Sequence, residues 1–422
     1  MMTIEEALRC IGEPEKVETL RPHWDESSAL LSDEIPLFLL PAAVARHREW
    51  CGFGLEADEP LREAAAQIAA SPALRLLAWH CYRLLFVHTE YADIERWPSL
   101  ETALCDLRGV FYLLVALAMV PRVITRHREL GIPEEVSRET CLQVRCFSEN
   151  YRRGTQGRLG IFLQQLYWLR HYPAGRLFRL GRFEYRIMPY SGSIEVYRHR
   201  DTGEVLALAP NGMHFNTEGY AVRAANGIVQ EPDWTATRVD TEETVGGYPF
   251  SPCGMAVRRE VHLPRATWEL VLSNGDDTLD MHIPAGGGMM PEHCADSMRR
   301  AVAFFREHFP ECHFAAITCS SWIFNTQLDG ILPPEANLVA FQRELYLFTV
   351  PSSPTSGLWF LFLQTPFDPA TAPRDTALQR AVLDFLAAGH TWRGGAMFLL
   401  VEHLDRFGTQ YYRSNWPPTF LR

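Results

Sequence analysis

The chain of 422 residues contains no CxxC, no HExxH, no GxSxG and no GxxxxGK[ST]. Those absences exclude, in order, the usual paired-thiol framework, the commonest zinc-protease helix, the serine nucleophile elbow and the nucleotide P-loop. Excess basic charge is missing as well. The net charge is −11, and neutralising a long polyanion needs a basic surface, so a general nucleic-acid binder is excluded. An acidic average still leaves room for a small basic pocket. The opening residues MMTIEEALRC lack the basic patch and apolar run of a secretory signal. Apolar runs such as VFYLLVALAMV at 110–120 fall short of the roughly 20 residues that cross a bilayer. The expectation is a cytoplasmic protein with no membrane span. Ten cysteines stand at 10, 51, 81, 105, 141, 146, 253, 294, 312 and 319 without framework spacing, which reads as reduced thiols in a reducing compartment. No internal repeat and no low-complexity tract is present.

Hydrophobic residues make up 47%, charged residues 22% and aromatic residues 12%, a balance that excludes disorder and supports large buried cores. At roughly 100–200 residues per domain the length allows two or three domains. Residues 1–40 carry one short helical signal, IEEALRCIG. From 41 to 171 the pattern is helical throughout, and ALRLLAWHCYRLLFVHTEY is apolar almost all round, as for a helix inside a bundle. Ser99, ahead of Glu101, is the expected N-cap of the next helix. Near Tyr172 the period changes from helix to strand. Asp201-Thr202-Gly203 separates two alternating runs as in a hairpin, and turn signals follow at Asn211-Gly212, Glu218-Gly219, Asn226-Gly227 and Gly246-Gly247. The runs at 256–264, 267–274 and 278–284 are expected to form an antiparallel meander. The pattern then gives a helix, a strand at 313–324, a helix at 335–345, two strands in YLFTV and GLWFLFLQ, and a helix at 376–389. The reading is α+β: a helical N-terminal bundle (1–172), a β-rich middle segment (173–255) and a mixed-sheet C-terminal domain (256–422).

The organising stretch is TLDMHIPAGGGMMPEHCADSMRRAVAFFREHF. Leu279, Met281 and Ile283 alternate with polar residues as in a strand. Gly286, Gly287 and Gly288 follow, then Pro291, which suits the first turn of a helix. A side-chain-free strand-to-helix bend lets backbone N–H groups converge on an anion at a positively polarised helix end. The same glycines also fit a tight turn that needs positive φ.

The succession of strands, glycine bend, helix, strand and helix resembles the second half of the GNAT acyltransferase fold. HYPAGRLFRLGRFEYR (171–186), HIPAGGGMMPEHCADSMRRAVAFFREHFP (282–310) and CSSWIFNTQLDGILPPEANLVAFQ (319–342) resemble bacterial N-acyltransferases with a helical N-terminal part and a GNAT-like C-terminal domain. The resemblance implies acyl-CoA as co-substrate, without a metal, lying in a gap between two splayed strands. It implies a small-molecule amine as acceptor; the oligomeric state is not legible. In GNAT enzymes Q/R-x-x-G-x-G/A holds the pyrophosphate. Here Ile283 stands at the Gln/Arg position, and no Lys or Arg occurs from 281 to 298. The implied cofactor-binding set is Ile283, Gly286, Gly287, Gly288 and Met289, with Arg299 or Arg300 supplying charge.

Acyl transfer to an amine needs a base and donors for the tetrahedral oxyanion. His282, ending its strand beside the bend, is the expected base, with Asp280 and Glu269 as alternatives on the same sheet. Cys319, Ser320 and Ser321 end the next strand near the implied thioester, Cys319 as an alternative nucleophile, and Asn325 is a candidate donor in the same cleft. The helix after that strand has no Tyr to serve as the leaving-group acid; Tyr346 lies just past it. Glu292-His293 with His282 lacks metal-ligand spacing. Two other readings stay open: a non-catalytic GNAT fold that binds a ligand or protein partner, and a carbohydrate-binding or carbohydrate-active β-domain, from the Trp- and Tyr-bearing strands at 185–235.

Overall fold

The computed structural model describes residues 2–31, 34–222, 224–225, 228–229 and 232–421. The Asn226-Gly227 turn signal lies outside the described residues. The chain divides into two compact units. One comprises Met1–Leu180 with Pro284–Gly286, the other Gly181–Ile283 with Gly287–Arg422.

The first unit is helical. Its opening helix Ile4–Ile11 is fixed by a reciprocal capping box between Thr3 and Glu6 and closed by Gly12 at φ 87°. Pro72–Phe86 starts with Pro72 and a Ser71 side chain that accepts from the Leu74 N–H. Leu61, Leu77, Leu84, Phe111, Leu113 and Val115 are buried together in the core of this unit. Ser99 is not the N-cap of its helix: that place, before Glu101–Leu104, is taken by Leu100, with no side-chain cap. The buried Glu13 carboxylate accepts from Ser99 N–H, Ser99 Oγ and Leu100 N–H, so a distant residue closes that turn. The apolar run of 110–120 proves to be part of a longer helical stretch, Glu101–Glu129, of 29 residues. By length and composition this stretch is sufficient for a bilayer, and 72% of its most apolar window is buried inside the unit.

The second unit is built on a mixed sheet whose strands, in chain order, are β1 (Phe183–Pro189), β2 (Cys253–Gly254), β3 (Asp277–His282), β4 (Ala316–Ser321), β5 (Tyr346–Thr349) and β6 (Gly395–Leu400). Their order in space is β1-β3-β4-β6-β5-β2. β3 is antiparallel to β1 and parallel to β4, which is antiparallel to β6. The helix α1 (Pro291–His308) links β3 to β4, and α2 (Asn337–Arg343) links β4 to β5. The hairpin around Asp201-Thr202-Gly203 forms as read, pairing Glu195–His199 with Val205–Leu208.

Three expectations are corrected. The meander does not form. Val261–Pro264 pairs with Thr244–Gly247, Trp268–Leu272 pairs with Glu195–His199, and only β3 joins the main sheet. Successive alternating runs look alike whether they pair with each other or with distant strands, so local pattern did not separate the two. Gly246-Gly247 lies inside a strand. GLWFLFLQ forms the short helix Leu358–Phe362, and the sheet is completed instead by GAMFLL, which is buried at all six positions. A short apolar run carries no period to distinguish helix from strand.

Candidate active site

β3 is paired with β1 over its whole length, from Asp277↔Pro189 to His282↔Glu184, and β4 pairs with β6 over six residues. Between β3 and β4 the parallel pairing covers only Leu279↔Ile317 and Asp280↔Thr318. Thr318 Oγ1 donates to Thr278 Oγ1 at 3.1 Å and ties the near end. Beyond Asp280 and Thr318 both strands continue, to His282 and Ser321, without pairing to each other. The two parallel strands part after Asp280 and Thr318, and the backbone edges that face each other there can take a ligand.

Alternation sorts the side chains. Thr278, Asp280 and His282 share one face of β3, opposite Met188, Arg186 and Glu184 of β1 in register. Thr318 and the exposed Ser320 of β4 continue that face. Leu279, Met281 and Cys319 point the other way and are buried, on the side where Ser297 of α1 bonds Tyr185. On the polar face, His282 Nε2 and Arg186 Nε each lie 2.8 Å from Asp280 Oδ2. Burial alone would raise the Asp280 carboxyl; the hydrogen bonds and charges of His282 and Arg186 outweigh it and hold the group below its ordinary value. An ionised Asp280 accepting from Nε2–H fixes the imidazole tautomer and places the basic lone pair on Nδ1.

The bend after β3 is exposed at Gly286, Gly287 and Gly288, which take φ of 80°, 71° and 64°. Three successive left-handed residues are accessible to glycine and costly to any side chain. Among the described residues, the N–H groups of Gly287, Gly288, Met289 and Met290 donate to no protein acceptor. α1 follows at once, with Pro291 in its first turn and no side-chain cap. The bend therefore presents free amides beside a positively polarised helix end.

Charge at the bend comes from a residue the sequence reading passed over. Arg182 Nε donates to Gly288 O at 2.5 Å and its Nη2 lies 3.4 Å from Met289 Sδ, while a Cβ on Gly287 would stand 3.5 Å from Arg182 Cδ. Arg299, the residue expected to supply charge, lies exposed two turns into α1, about 12 Å of helix rise from its start. Arg300 reaches Gly181, whose added Cβ would stand 3.2 Å from its Nη1. The signal for Arg182 and its neighbours was a polar period of two, Arg182, Glu184, Arg186, along RFEYR.

The other candidates separate. Ile283 is half-buried and Met289 buried, so their side chains do not line an open phosphate site. Burial pushes the Cys319 thiol well up, which removes the thiolate a nucleophile needs. Ser320 is exposed on the same face as His282, whereas Ser321 Oγ accepts from Ile323 N–H in a local turn. Asn325 is fully buried; its Oδ1 accepts from Gln327 N–H and its carbonyl accepts from Gln342 Nε2, so it organises a turn rather than a cleft. Glu269 sits in a different sheet, paired with Arg198 and Arg200. Of the Trp and Tyr residues at 185–235 on which a sugar platform would rest, Tyr185, Tyr190, Tyr197 and Trp234 are buried and Tyr220 is half-buried.

Residues 42–173 match the model of the N-acyltransferase N-terminal domain, and residues 177–399 match that of the GNAT-like C-terminal domain. No curated protein matches the chain. Among solved structures, an acyltransferase in complex with decanoyl-CoA and teicoplanin is similar at 21% identity and a TM-score of 0.63, over 95% of this chain and 100% of that one. A mutant acyltransferase in complex with octanoyl-CoA gives 22% identity and 0.62, over 94% and 99%. At these identities the likeness is one of fold. The family match covers more than half of the chain, and with it the sheet, the unpaired strand ends and the glycine bend: the chain belongs to the acyltransferase family that joins an N-acyltransferase N-terminal domain to a GNAT-like C-terminal domain.

Proposed function

We propose that this acyltransferase moves an acyl group from acyl-CoA to an amine on a small-molecule acceptor. The observation that carries the reading is the early end of pairing between β3 and β4, with a side-chain-free bend directly beyond it. The bend amides and Arg182 supply donors for a pyrophosphate. The released strand edges supply backbone partners for a pantetheine arm. Asp280 orients His282, whose Nδ1 takes the proton of the attacking amine as the N–C bond forms and the C–S bond breaks. The coenzyme leaves as thiolate and is protonated from water. The similar structures hold octanoyl- or decanoyl-CoA, one of them together with teicoplanin, and another holds CoA with 10C-teicoplanin, which supports a donor with a medium-length acyl chain and an acceptor that is a small molecule.

The test is release of free CoA thiol from octanoyl- or decanoyl-CoA, dependent on an amine-bearing glycopeptide, with the acylated product identified by mass. Binding of acyl-CoA without turnover on any amine would leave the non-catalytic reading. Failure to bind acyl-CoA of any length would overturn the proposal.

A further inference from the structure

Away from the acyl-transfer site, the helical unit gathers two histidines and two glutamates at one point of its surface. His23 immediately precedes the helix Trp24–Leu30, and Glu26 lies in its first turn. His88 and Glu90 follow the end of Pro72–Phe86. The two imidazoles stack with centroids 3.6 Å apart and planes 11° from parallel. His23 Nδ1 lies 3.6 Å, and His88 Nε2 3.3 Å, from the same oxygen, Glu26 Oε2. The three atoms fall within 4.8 Å of one another. A tetrahedral zinc ion with N and O donors at about 2.0–2.2 Å needs donor separations of about 3.3–3.5 Å.

The opposite nitrogens point to one further carboxylate. His23 Nε2 is 3.6 Å, and His88 Nδ1 3.7 Å, from Glu90 Oε1. At these separations Glu90 makes no hydrogen bond to either ring; its charge favours the N–H on that side and the lone pair on the other, as the outer-sphere carboxylate of metal-bound histidine does. Arg83 reports the same tautomer independently. Its guanidinium donates to His88 Nε2 at 3.1 Å, which places the lone pair there; an ion that binds takes that lone pair in place of Arg83. It also bonds Glu26 Oε1, which leaves Oε2 as the oxygen that faces both rings.

We propose that His23, Glu26 and His88 form a three-donor site for a borderline divalent cation of the zinc class. Two imidazoles and one carboxylate suit zinc, cobalt or nickel and disfavour magnesium or calcium, which prefer all-oxygen shells. The His23 and Glu26 side chains are 37% and 50% exposed, so an ion enters from solvent and water fills the fourth position. The rings tilt out of their parallel stack so that both lone pairs meet one ion. The positive charge of Arg83 opposes the ion and sets the affinity below that of a closed structural site. Once bound, the ion ties the helix Trp24–Leu30 to the segment that follows Phe86.

The test uses the full-length protein, stripped by chelation and titrated with Co²⁺, Zn²⁺ and Mg²⁺. One equivalent of Co²⁺ is expected to give a ligand-field spectrum without thiolate charge-transfer absorption and to be displaced by Zn²⁺, while Mg²⁺ has no effect. His23→Asn, which keeps a residue tolerant of the local φ of 61°, and His88→Gln should each weaken cobalt binding at least about tenfold. Zinc should raise the melting temperature of the wild type and not of either variant. The proposal is overturned by no binding to the wild type, by binding unchanged in the folded His23→Asn variant, or by a spectrum that carries thiolate absorption from the cysteines.

Discussion

His282 and Asp280 act as a pair only if the carboxylate stays ionised, and the geometry provides for that. Arg186 and His282 converge on one oxygen, Asp280 Oδ2. If His282 is the base, His282→Ala removes the proton acceptor without touching the bend. The expected result is a turnover about 10²–10⁴-fold lower with the affinity for acyl-CoA nearly unchanged, checked by steady-state rates beside direct titration of CoA. A normal rate would remove His282 from the chemistry. Arg182 has a different signature. Its guanidinium lies on the bend, where the proposed function puts the pyrophosphate. Arg182→Ala should weaken CoA by about 10- to 100-fold, the worth of one or two charge-assisted hydrogen bonds. Acyl-pantetheine, which has no nucleotide diphosphate, should be used equally well by the variant and the wild type. Equal weakening of both donors would mean that Arg182 shapes the fold of the bend and makes no phosphate contact.

The bend itself belongs to the scale of elements, because its three left-handed residues work together. Gly287 stands at φ 71°, and the atoms nearest to an added Cβ, its chain neighbours aside, are those of the Arg182 side chain, at 3.5 Å or more. Gly287→Val therefore meets conformational strain, worth roughly 1–2 kcal/mol, and no hard clash. The variant should fold, with a small drop in melting temperature, and lose CoA affinity because the amides are re-aimed. Unchanged affinity in a folded variant would rule out the amide cradle. At this scale the sequence was informative in part. The β3–glycine–α1 unit was legible, since Leu279 and Met281 alternate, three glycines interrupt, and Pro291 restarts the chain as a helix. The partners of β3 were not, because pairing is non-local and FEYRIMP, about 90 residues away, reads like any other alternating run. Cys319 and Ser320 show a finer limit. They are adjacent in sequence and both end β4, yet the pleat buries one and exposes the other, so only the register separated an inert thiol from an accessible hydroxyl.

At the scale of the whole chain, the two units differ in how they meet acid. In the helical unit burial lowers His47, with nearby Arg46, to about 4, and His80 to about 3. Burial, again with a neighbouring arginine (Arg126), brings His127 to about 4. His80 bonds Ser27 Oγ and Leu20 O, and His127 bonds Ser137 Oγ, so each of these two neutral rings is built into the core by hydrogen bonds. Unfolded histidine protonates near 6.5. Between that pH and about 4 the unfolded chain takes up protons that the folded unit refuses, so stability falls as pH drops through this window. Each ring accounts for a loss on the order of 3 kcal/mol by pH 4, a large share of the stability of one unit. In the second unit burial lowers one ring, His403, against the buried rings His47, His80 and His127 of the helical unit, and the Asp280 carboxyl is depressed. Its contribution is complete above the ordinary carboxylate range and is lost only at lower pH, as the group protonates. Acid should therefore open the helical unit first. Hydrogen exchange compared at pH 7 and pH 5 should show protection falling in Pro72–Phe86 and Val120–Glu129 while β3, β4 and β6 keep theirs. Simultaneous loss in both units, or loss in the sheet first, would contradict the assignment of the acid sensitivity to these three buried rings.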